Sequence, residues 1–198
     1  MISFIVAVFF LIITPGPAVL ALAGVGACFS FKMGFRFLTG LAVGNITVSI
    51  LVITGISSVI FAVPAMRVFF LIISTSFLLI LSYKIITHGS KIAFPNHLSV
   101  PNVVDGIILQ LINPKAYAVH TLIFSGFSIY PNDFFLETTW KLIAMNTIWF
   151  PIHFIWLAGG SIIKEISLKP KSQVIVNVSM GTSLLTVSIL SVLSLQIF

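Results

Sequence analysis

LIITPGPAVLALAG, residues 11–24, lies within a run that carries no charged residue from Met1 to Phe31. Two prolines and a glycine stand at the middle of a segment apolar enough to cross a bilayer. Proline removes a backbone donor and clashes with the turn before it. Pro15-Gly16-Pro17 therefore breaks the helix and frees carbonyls around residues 11–14. In hydrocarbon each unsatisfied backbone group costs several kcal/mol, so such a break persists only against protein or a water-filled cavity. The second half-helix starts near Pro17 and presents a positive dipole end with free amides. Asn113-Pro114-Lys115 repeats the pattern in a later apolar segment and adds a cation.

The chain around these breaks is apolar throughout. Of 198 residues, 59% are hydrophobic and 7% charged, with a mean hydropathy of +1.20. A soluble domain is roughly a quarter charged. So few charges cannot cover a soluble surface, and the class is a polytopic membrane protein. The net charge of +6 belongs to short loops, which excludes a nucleic-acid partner on pattern. The single cysteine, Cys28, supports neither a disulfide nor a thiolate metal site. Cofactor motifs are missing as well: there is no Walker loop, no paired carboxylates and no His/Cys cluster with ligand spacing. ATP-driven transport, hydrolysis and metal handling are thereby disfavoured, and the chain does not read as an enzyme.

Six segments meet the length of about 20 apolar residues that a spanning helix needs: about 2–28, 38–62, 66–87, 105–128, 138–162 and 174–197. The expected fold is all-α, a single transmembrane domain over 1–198. Lys32, Arg36, Lys84, Lys91, Lys164, Lys169 and Lys171 follow the odd-numbered spans, whereas Arg67 and Lys141 fall on the other face. The positive-inside bias puts the first group in the cytoplasm and both termini outside.

The chain also repeats. Ile12-Ile13-Thr14-Pro15 aligns with Leu111-Ile112-Asn113-Pro114 at an offset of 99, and Asn45 with Asn146 at 101. Repeat one covers about 1–90, the polar connection 88–104, and repeat two about 105–198. Three spans per repeat force the second repeat to be inverted in the membrane. Matched, interrupted segments in two inverted halves mark a transporter binding site. The candidate binding residues are Pro15, Gly16, Pro17, Asn45, Asn113, Pro114 and Lys115, arranged to hold an anionic group such as a carboxylate.

Other polar residues have weaker claims. Lys115 is the only clearly intramembrane charge in the sequence, a functional position by default. It either meets a substrate carboxylate or bonds the carbonyls freed near Pro15. Asn45 and Asn146 serve as cavity lining or as interhelical glue. Gln110 and Asn113 flank the second break. His120, five residues past Lys115, is the candidate for proton coupling, because imidazole titrates near neutral pH. Asp105 reads as an N-terminal cap. Gly40 and Gly44, as small-xxx-small, allow close helix contact within the bundle or between two copies.

TPGP in the first span, GLAVGN with Gly40, Gly44 and Asn45, LLILSYKI closing the third span, and GIILQLINPKA from Gly106 to Ala116 resemble the LysE/RhtB family of amino-acid exporters. The resemblance covers nearly the whole chain. It implies a six-helix bacterial inner-membrane protein that exports an amino acid or related zwitterion by proton exchange. Family members often carry an aspartate where this chain has Asn45, and glycines in the third span near Ser74 and Ser82. With no acidic residue in mid-membrane, the expected substrate has a neutral side chain. The alternatives are an exporter of another solute, or a membrane scaffold that keeps the fold without transport.

Overall fold

The computed structural model describes residues 1–88, 100–165 and part of 171–189. Most of the polar connection and of the sixth expected span lies outside the described residues. Among the described residues all regular structure is helical: α1 (Ile2–Ile13), α2 (Pro17–Cys28), α3 (Phe31–Ile53), α4 (Ile56–Ala62), α5 (Pro64–His88), α6 (Val103–Leu111), α7 (Pro114–Ser125) and α8 (Phe134–Glu165), with further helical residues between 171 and 189.

The prolines act where the sequence places them. Chain direction turns by 52° between α1 and α2 and by 62° between α6 and α7. Each pair together is long and apolar enough for one broken span or a re-entrant loop. Phe31–Ile53, Pro64–Thr87 and Phe134–Ile162 are each long and apolar enough to cross a membrane unbroken. The described residues thus hold three candidate spans, or five if each bent pair counts as one.

Two boundaries differ from the sequence expectation. Phe31 to Arg36 is not a link but the first turns of α3, capped by Ser30, whose Oγ accepts from the Met33 amide at 3.2 Å. Lys32 and Arg36 remain exposed on that turn. The 38–62 segment is divided instead at Thr54-Gly55, where Gly55 takes φ 76° and ends α3. Asp105 does cap α6: Asn102 and Asp105 form a reciprocal capping box.

α2 sits at the centre, buried along almost its entire length. Its alanines and glycines let neighbours approach on every side; a Cβ on Gly26 would lie 2.8 Å from the Leu157 carbonyl of α8. Gly40 and Gly44 face α6 of the same chain. A Cβ on Gly44 would lie 2.6 Å from Gln110 Cβ and 3.1 Å from the Ile107 carbonyl. That approach brings the polar residues of α3 and α6 together. Phe10, Val59, Ile72, Ile143 and Ile155 project outward, as lipid-facing residues do.

Candidate functional site

Each break ends a half-helix and starts another. Gly16 precedes α2 in extended conformation (φ −160°, ψ −179°), and Pro17 opens the helix. No side chain caps α2. Its first amides therefore remain for a group arriving from that end. The second break is capped: Asn113 Oδ1 accepts from the Lys115 amide at 3.1 Å, and Pro114 opens α7.

The two breaks meet. Lys115 Nζ donates to the Thr14 carbonyl, one of those freed by Pro15-Gly16-Pro17. Of the two partners the sequence allows Lys115, this state uses the freed carbonyl. The lysine stem passes so close to Gly16 that a Cβ there would lie 2.7 Å from Lys115 Cδ and 3.1 Å from Nζ. Glycine is needed at position 16 for this approach, not for an unusual backbone angle.

Beside this link runs a chain of amides. Gln110 Nε2 donates to Asn45 Oδ1 at 3.1 Å, and Asn45 Nδ2 donates to Asn146 Oδ1 at 3.2 Å. Asn146 Nδ2 returns to the Leu142 carbonyl at 2.8 Å. The chain joins α6, α3 and α8. Asn45 and Gln110 are buried, and Asn146 is half-buried.

A cavity of about 50 Å³ lies between the breaks and the amide chain. Gly16, Asn45, Gln110, Asn113, Lys115 and His120 line it together with Trp149 and His153. Pro15, Pro17 and Pro114 shape the breaks without lining it, and Asn146 does not reach it. Lys115 is the one charged residue among those lining residues, so the cavity favours an anionic group and places no carboxylate opposite a second cation. His120 Nδ1 donates to the Ala116 carbonyl at 2.6 Å. His153 is packed against Trp149, with ring centroids 3.7 Å apart, and its Nδ1 donates to the Trp149 carbonyl at 2.9 Å. The cavity is thus polar on the α3, α6 and α7 side and aromatic on the α8 side. Among the described residues, no group of three or more His, Cys, Asp or Glu is placed to hold a metal ion.

The sequence brings Trp149 to no attention, because an aromatic residue in an apolar span carries no signal of its own. It also misplaces Lys141. The structure buries that side chain completely, so Lys115 is not the sole enclosed cation. Lys141 Nζ lies 2.6 Å from Glu137 and donates to the Phe124 carbonyl at 3.0 Å and to the Phe127 carbonyl. Glu137 in turn accepts from the Ile129 and Tyr130 amides. The pair ties the carboxyl end of α7 to α8. Its spacing of four residues on one helix face was the available signal.

No curated protein and no solved structure matches the chain. The family model of the LysE type translocator matches residues 9–194, a stretch that includes both breaks and the whole amide chain, and the chain belongs to that family.

Proposed function

We propose that the chain is a proton-driven secondary exporter of a small amino acid or related zwitterion, built as six spans in two inverted repeats within one transmembrane domain. The setting is a bacterial inner membrane with both termini outside. The family is one of translocators. The cavity chemistry supports the solute class. Lys115 and the uncapped amides of α2 suit a carboxylate, and the lack of an acidic lining residue disfavours a cationic side chain. A volume of about 50 Å³ suits a small solute, since one water needs about 10–15 Å³ on this measure.

The repeat has support in three hydrogen bonds. Thr14 and Lys115 are 101 residues apart, Asn45 and Asn146 are 101 apart, and Ser82 and Gly181 are 99 apart. These contacts join the first span to the fourth, the second to the fifth, and α5 to the helical residues around 181. Residues near a two-fold axis meet their own counterparts. A nearly constant offset across all three pairs of spans fits a pseudo-two-fold axis through the centre of the bundle.

The observation that carries the proposal is the bond from Lys115 to the Thr14 carbonyl beside the cavity. A substrate carboxylate competes with that carbonyl for the ammonium, so binding loosens one break from the other. Relative movement of two repeats about a fixed site is how such transporters alternate access. The test is amino-acid efflux from cells loaded with dipeptides, comparing wild type, Lys115→Ala and an empty vector, with and without a protonophore. Faster release of one or a few amino acids by wild type alone, lost with the protonophore, is the expected result. Release by Lys115→Ala at the wild-type rate removes the lysine from the mechanism. A scaffold of the same fold gives no efflux and no thermal stabilisation by any amino acid.

A further inference from the structure

Buried polar atoms without partners are rare, and each calls for an explanation. Among the described residues three side-chain atoms are in this position: Thr75 Oγ1, Gln110 Oε1 and His120 Nε2. Two of the three belong to residues lining the one cavity that also holds Lys115. Gln110 is 3% exposed and His120 is 2% exposed.

Both atoms are acceptors, and the neighbouring bonds fix this. Gln110 spends an Nε2 proton on Asn45 Oδ1, which orients the amide and leaves Oε1 as the unpaired end. His120 faces a carbonyl at Nδ1, and a carbonyl only accepts, so Nδ1 carries the proton. In the neutral ring Nε2 is then a lone pair. The cavity therefore combines one cationic donor, Lys115, with two neutral acceptors. It lacks an acidic group, and these two are the lining acceptors that are both fully buried and unpaired.

Resting on the export reading above, we propose that Gln110 Oε1 and His120 Nε2 are specificity-determining acceptors that bind the N–H groups of the substrate's ammonium, while Lys115 holds its carboxylate. The site then requires a free ammonium as well as a carboxylate. A carboxylic acid of the same shape without the amine leaves both acceptors buried and unpaired, and sites built to bond an N–H reject analogues that lack it. His120 acts here as a substrate ligand. While the substrate N–H occupies Nε2, that nitrogen is not free to carry the exchanged proton.

The test uses the purified full chain in detergent micelles and reads affinity from ligand-dependent thermal stabilisation. Alanine is compared with propionate, and glycine with acetate. Wild type is expected to bind each amino acid at least about tenfold more tightly than its deamino partner. His120→Phe and Gln110→Leu should each narrow the ratio of amino-acid to deamino-acid affinity. His120→Gln, which restores an acceptor, should recover part of the difference. Gln110→Leu also removes a bond to Asn45, so His120→Phe is the decisive variant if Gln110→Leu misfolds. Equal affinity of wild type for alanine and propionate overturns the proposal, as does an unchanged ratio in His120→Phe. Efflux of alanine with either of those outcomes leaves the export reading standing and removes only this one. Failure of both amino acids to stabilise wild type, together with no amino-acid efflux, overturns both.

Discussion

Gly16→Ala isolates the contact on which the site depends. Gly16 has φ −160° and ψ −179°, a conformation alanine adopts without strain, so any penalty comes from the added methyl group. That methyl would lie 2.7 Å from Lys115 Cδ and 3.1 Å from Nζ. Lys115 must swing aside, and the Thr14 carbonyl loses its ammonium. A hydrogen bond to a charged group contributes about 1.5–3 kcal/mol. Lys115 is only half-buried, so the lower part of that range applies, about 1.5–2 kcal/mol. For a chain of this length each kcal/mol moves Tm by about 2–4 °C. The expected fall is therefore about 3–8 °C. In a Lys115→Ala background there is no stem to displace, and Gly16→Ala should be neutral or stabilising by up to about 1 kcal/mol through the unfolded chain. Thermal unfolding of the four proteins of this cycle in one fixed detergent gives the coupling directly. Equal losses from Gly16→Ala in both backgrounds would refute the reasoning, because the cost would then not pass through Lys115.

The remaining expectations concern the supports around the cavity. Lys141→Met removes the ammonium from Glu137 and from two carbonyls of the α7–α8 link, while Glu137, partly exposed, keeps its two amide donors, so it should cost about 1–3 kcal/mol of stability in the same unfolding assay; a change within about 0.5 kcal/mol would mean the pair is a surface pair in effect. Asn45→Asp loses the donor to Asn146 and puts a carboxyl at a fully buried position, against the Asn146 oxygen, with Gln110 as its one side-chain donor. A loss of about 2 kcal/mol or more is expected in the same assay, and a change within about 0.5 kcal/mol would show that the site tolerates the acid. Gly44→Ala drives a methyl group into Gln110 Cβ and the Ile107 carbonyl, so α3 and α6 must separate at a cost of about 1–3 kcal/mol, with weaker substrate affinity as the second readout.

Both breaks were legible because proline chemistry is local: Pro15, Pro17 and Pro114 break the backbone whatever surrounds them. Asn45 and Asn146 could be read as a matched pair at an offset of 101, but that they bond to each other came only from the structure. The cap at Asp105 could be read from three adjacent residues. What failed had a common cause. In a membrane protein the lipid side is as apolar as the core, so hydropathy does not tell which face of a span points inward. Trp149 lines the cavity while its neighbour Phe150 is exposed, and nothing in the local sequence separates them. The same lack of contrast let α3 begin before its expected start, since Lys32 and Arg36 resemble a loop when counted as charges. On the folded chain they are an exposed helical turn at the edge of the bundle. Lys141 was misread because charge was counted by position along the chain, and its partner lies four residues earlier on the same helix face.

The proposed repeat would also account for the asymmetry of the site. At the offset of 99 that aligns Thr14 with Asn113, Gly16 aligns with Lys115. If the two halves are related by an axis near these positions, the counterparts must share one small volume. The 2.7 Å separation between a Cβ at 16 and Lys115 Cδ is the geometric consequence. A long side chain on one half therefore requires glycine on the other, and two lysines would both overlap and repel. An inverted repeat that needs a single cation at its centre cannot stay symmetric in sequence there. Such a repeat has to differ at that pair of positions, with the cation in one half and the space for it in the other. Exchanging the two, as Gly16→Lys with Lys115→Gly, tests this argument. It should recover more stability than either single change predicts alone, and strict additivity of the two losses would count against a shared volume.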